Sequence, residues 1–78
     1  MTFVIKALVT GYCSCKELVE RVHSKGGVVL SVGGVNVDED FNLVTKLNVE
    51  MFMVDEGNLE DARVEFCRKF PGCDVLFE

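Results

Sequence analysis

The sequence predicts an α+β domain of βαββαβ order, a two-layer sandwich with an antiparallel sheet on one side and two helices on the other. Three observations lead there. Hydrophobic residues alternate with period two from Thr2 to Thr10 and from Leu43 to Val54, as in strands with one buried face. They recur at helical spacing in Cys15–Val22 and Leu59–Phe70. Turn chemistry separates the segments: Gly26-Gly27, "DEDFN" and Pro71-Gly72.

The first segment, "TFVIKALVT", places Phe3, Ile5, Ala7 and Val9 on one face and Thr2, Val4, Lys6, Leu8 and Thr10 on the other. Ser14 with Glu17 three residues on fits a capping box, so a helix is expected to start there, bury Cys15, Leu18, Val19 and Val22, and stop at Gly26-Gly27. Val28–Val32 is β-branched and apolar and is expected as a strand, its continuation past Gly33-Gly34 to Val37 left open, with the glycines marking a bulge or bend. A hairpin then leads to Leu43–Val54, whose Leu47, Val49, Met51 and Met53 face inward and Lys46, Asn48 and Glu50 outward.

Asn58 with Asp61 at the third helical position marks the second helix, with Leu59, Ala62, Phe66 and Phe70 as the stripe to be buried and Pro71-Gly72 as its end. The last strand, "CDVLF", turns Val75 and Phe77 inward. This order is that of a single ferredoxin-like domain spanning residues 1–78, with no internal linker. The outer sheet face should carry Val4, Leu8, Phe52 and Leu76 among Lys6, Lys46, Asn48 and Glu50, a mixed surface that is either solvated or used for association.

Length and charge narrow the function. A 78-residue chain buries roughly 60% of its unfolded surface, so the core is thin. Thirteen acidic against eight basic residues give a net charge of −5, which opposes a phosphate backbone and argues against nucleic acid. The apolar runs are far shorter than the ~20 residues of a membrane span, and Met1–Val9 carries Lys6 with no cleavage-like site after it. A cytoplasmic protein with reduced thiols is therefore expected.

Chemistry is announced only by "TGYCSC" at the first strand-to-helix junction. Ser14 as N-cap makes Cys13 a staple residue against Leu18 and Cys15 the first residue of the buried stripe. Topology offers another reading: the last strand should start beside the end of the first, which brings Cys73 toward Gly11–Cys15, with Cys67 near the same end. Four gathered thiols there suit zinc, two or three suit copper(I), a disulfide is a further alternative, and the helix N-terminus would depress a thiol pKa. The spacing, C-x-C with a distant C-x₅-C, is not that of paired zinc knuckles, and His23 lies at the far end of the helix. Asp38-Glu39-Asp40 lacks the spaced ligands and glycine of a calcium loop, and Gly33-Gly34 lacks the spacing of a phosphate loop. No nucleophile and base pair stands out, so no enzymatic activity and no cofactor are expected.

The stretch "ELVERVHSKGGVVLSVGGVNVDEDFNLVTKLNVEMFMVD", continued by "LEDARVEFCRKFPGCDVLF", resembles the hydrophobic pattern of ACT domains over almost the whole chain. That resemblance implies a small regulatory module, paired edge to edge, with a small-molecule ligand at the first strand-to-helix loop, here Gly11, Tyr12, Cys13 and Ser14. Where ACT domains carry an Asp-x-Pro-Gly-like turn, this loop reads "TGYCSC". Heavy-metal-associated domains share the element order and hold soft metals in the same loop with Met-x-Cys-x-x-Cys. By that resemblance Cys13 and Cys15 are the alternative metal or redox ligands, joined on the topological argument by Cys73 and Cys67, although one residue separates Cys13 from Cys15 and Tyr12 supplies no sulfur. The preferred function is a binding or regulatory module acting through a protein partner or as a homo-oligomer.

Overall fold

A computed structural model describes all residues, 1–78. Six elements follow in the order β1 (Thr2–Gly11), α1 (Cys15–Ser24), β2 (Val28–Val37), β3 (Leu43–Val54), α2 (Leu59–Arg68) and β4 (Asp74–Phe77). The strands form one antiparallel sheet in the order β2-β3-β1-β4, which is the ferredoxin-like arrangement. Ile5, Ala7 and Val9 of β1 and Leu47, Val49, Met51 and Met53 of β3 make the sheet side of the core. Leu18 and Val22 of α1, Ala62 and Phe66 of α2, and Phe70 beyond α2 close it from the helix side.

Both helix starts are set by local chemistry. Ser14 Oγ accepts the Glu17 N–H at 3.2 Å, but the reciprocal bond from Glu17 is missing, so this cap is half of the expected box. Asn58 and Asp61 make both bonds. α1 stops in a Schellman motif: Gly26, at φ +83°, donates to His23 O, and Gly27 donates to Val22 O.

Two expectations about α2 are corrected. Leu59 is 39% exposed rather than buried, because it is the first helical residue and overhangs the rim of the sheet beside Val4 and Ile5. The helix itself ends at Arg68, before Pro71-Gly72, and Phe70 reaches the core from the turn that follows.

β2 runs the full length to Val37, with register shifts between Val29 and Ser31 and between Val32 and Gly34, so Leu30 and Gly33 are extra residues in the ladder. Gly33 fits because a Cβ there would lie 3.0 Å from Leu8 Cδ1. In the connection to β3, Asp38 Oδ1 accepts from the N–H groups of Asp40 and Asn42, and Phe41 takes a positive φ of 63°. The molecule is elongated, 42 × 19 × 18 Å, because the β2–β3 hairpin extends along the long axis of the sheet.

Candidate functional site

The β1–α1 junction is built from Gly11 outward. Gly11 is buried at the end of β1, opposite Thr45 of β3. A Cβ on it would lie 2.9 Å from Leu18 Cδ1 and 3.3 Å from Cys13 Sγ, so those two side chains occupy the space that glycine leaves. Thr45, a fully buried polar residue, donates its hydroxyl to the Cys13 carbonyl at 2.8 Å and anchors the loop. Tyr12 points outward and donates to Asp74 Oδ2 at 2.7 Å, which ties the loop to the start of β4. Ser14 is engaged in the cap.

The thiols divide. Cys13, Cys15 and Cys73 are half-buried against the core, whereas Cys67 is exposed on α2. Arg21 Nη1 lies 3.4 Å from Cys73 Sγ. No three His, Cys, Asp or Glu side chains come together in a way that could hold a metal ion. The expected approach of Cys73 to the loop is thus present, while Cys67 stays apart on the outer face of α2. The expected depression of a thiol pKa by the α1 N-terminus is not what Cys13 experiences. Burial pushes its thiol up, Arg21 opposes that rise, and Glu17 and Cys73 add to it. Desolvation is the largest cause, and the sulfur lies 3.3 Å from the position a Cβ of Gly11 would take.

Neither groove on the surface includes the loop. One, of about 360 Å³, is lined by Val4, Ile5, Lys6, Leu59, Arg63 and Phe77 together with Glu78. The other lies across α2 and shares Arg63 and Phe77 with it. The Arg63 guanidinium lies over the Phe77 ring, 5.4 Å from its centroid.

The third feature is β2. It is an edge strand, hydrogen-bonded only to β3, and Gly26–Val37 contains no charged residue. Val32 and Val35 pair in register with Leu47 and Thr45, which are fully buried, yet they are 54% and 50% exposed. The helix layer therefore covers β3 and stops short of the edge. Val37, exposed as well, continues the same face toward the hairpin end.

Thr45 and Arg21 were not singled out by sequence reasoning. Thr45 had a signal, a polar residue on the otherwise apolar inward face of β3. Arg21 had none, since its contact with Cys73 joins positions 52 residues apart. No family model, no curated protein and no solved structure matches this chain. No helix is long and apolar enough to cross a membrane.

Proposed function

We propose that this domain is a non-enzymatic association module that pairs with a second copy of itself along the β2 edge. The observation that carries this reading is the edge: ten residues of uncharged, largely β-branched strand whose outer backbone groups have no partner. Natural sheets usually blunt such an edge with charge, proline or short length. The opposite edge, β4, has only four residues, begins with Asp74 and is followed by Glu78.

Charge at the two ends of β2 supports a copy of the same chain in antiparallel orientation. Lys25 precedes the strand, and Asp38-Glu39-Asp40 follows it. Laid antiparallel about a two-fold axis, each copy sets its Lys25 end against the acidic end of the other, whereas a parallel arrangement sets acid against acid. Main-chain hydrogen bonds then continue the sheet, and the half-exposed valines of β2 meet their counterparts. The β1–α1 loop has no ligand role in this reading, because Leu18 and Cys13 fill the space beneath Gly11.

The exposed outer face gives a second reading, since Val4 and Phe52 pair directly and are 52% and 64% exposed. Sedimentation over a concentration series separates the two. The edge reading predicts a dimer that Val32→Lys abolishes and Phe52→Glu leaves intact, with monomer stability changed by no more than about 1 kcal/mol at the exposed Val32. A strict monomer up to about 1 mM, or a dimer lost in Phe52→Glu and kept in Val32→Lys, would contradict it.

A further inference from the structure

Strand order brings two cysteines from distant parts of the chain to the Gly11 end of β1. The β1–β4 ladder runs from Ala7↔Phe77 to Thr10↔Asp74, and it extends beyond Phe77, where Glu78 donates to Lys6 O at 3.1 Å. The next step of the same register at the other end sets Cys73 opposite Gly11. Cys73 itself lies just before β4, one residue beyond the Thr10↔Asp74 pair. The Cys73 N–H finds its partner at Phe70 O.

Cys13 returns to the same spot from the loop. Its Sγ lies 3.3 Å from the position a Cβ of Gly11 would take, on the face to which Cys73 also points. A separate bond fixes the neighbouring residues: Tyr12 donates to Asp74 across the same junction. Tyr12 and Asp74 are held together by that bond, and their chain neighbours Cys13 and Cys73 both pack against the core.

We propose that Cys13 and Cys73 are an oxidisable dithiol, a site of intramolecular disulfide formation that locks the β1–α1 loop to the start of β4, with a small-molecule disulfide as its oxidant. In the first step one protein thiolate attacks a sulfur of the small disulfide, forming a mixed disulfide and releasing one small thiolate. In the second step the other protein sulfur attacks the mixed disulfide at the protein-bound sulfur and displaces the second small thiolate. The two protons lost by Cys13 and Cys73 end on the two released thiols, and two electrons pass from the dithiol to the oxidant. Both cysteines are half-buried, and Arg21 Nη1 lies 3.4 Å from Cys73 Sγ. Cys15 is the first residue of α1, and Cys67 is exposed on α2.

The test is a titration of the purified protein with mixtures of oxidised and reduced glutathione, followed by alkylation and peptide mapping. The expected product is a monomeric chain lighter by two hydrogens, in which the Cys13 and Cys73 peptides are joined while Cys15 and Cys67 remain alkylated. The bond closes a long loop, so the melting midpoint should rise on the order of 10 °C and return when a dithiol reductant is added. Cys15→Ser and Cys67→Ser should leave the product unchanged. A Cys13–Cys15 link, a link between chains through Cys67, or stable glutathione adducts with Cys13 and Cys73 unjoined would overturn the proposal. Because the wild-type map alone decides among these, the result does not depend on whether Cys13→Ser or Cys73→Ser folds.

Discussion

Tyr12 is the only tyrosine in a chain without tryptophan, so its ionisation can be read directly by absorbance. Its hydroxyl donates to Asp74, and that bond, together with the negative charge beside it, raises its pKa above the ordinary value of 10.0. The sign follows from the favoured form: the folded state prefers the protonated phenol. The contribution of the bond to stability is therefore complete below pH 10 and is lost as pH rises through the folded value. A tyrosinate titration should give a midpoint above that of a free phenol, and Asp74→Asn should bring it back toward 10. An identical midpoint in both proteins would mean that the loop and β4 are not tied in solution. Cys13 belongs to the same junction and has the same sign, since burial holds it as the neutral thiol.

At the level of the element, the two helix starts give a paired prediction. Asn58 engages both of its capping bonds, and Ser14 only one. Replacing Asn58 by Ala should cost about 1–2 kcal/mol, and Ser14→Ala about 0.5–1 kcal/mol, as measured by denaturant unfolding. A larger loss at Ser14 would show that its role exceeds the cap.

Why these elements were legible in the sequence is also a matter of local physics. The alternation in β1 and β3, the Gly26-Gly27 stop and the Asn58 cap all act within a few residues, so sequence alone placed them. Leu59 was misjudged because its exposure depends on how far α2 overhangs the sheet, and a hydrophobic stripe carries no such information. The candidate site was legible only in part. The approach of Cys73 to the first loop follows from strand order, but the packing of Cys13 and Leu18 under Gly11, which fills the loop, depends on side-chain placement. Thr45 was visible as a polar residue on an apolar face, and its bond to the Cys13 carbonyl was not.

Over the whole molecule the asymmetry between the two sheet edges dominates. The β4 edge is short and lies next to acidic residues, while the β2 edge offers a charge-free ladder about 33 Å long at 3.3 Å per residue. The overall charge is −5, and the ten residues of β2 carry none of it. The exposed Phe41, at positive φ at the tip of the hairpin, extends the apolar surface beyond the ladder. In the proposed pairing, β2 joins two thin domains into one continuous sheet with the helices on one side of it.

The most direct measurement of that pairing is amide hydrogen exchange, resolved by residue and followed over a dilution series. Edge pairing predicts that amides within Val28–Val37 gain protection as concentration rises, while those of β4 stay as they are. The same β2 amides in Val32→Lys should exchange at the dilute rate at every concentration. Protection in Val28–Val37 that does not depend on concentration in the wild-type chain would contradict the account.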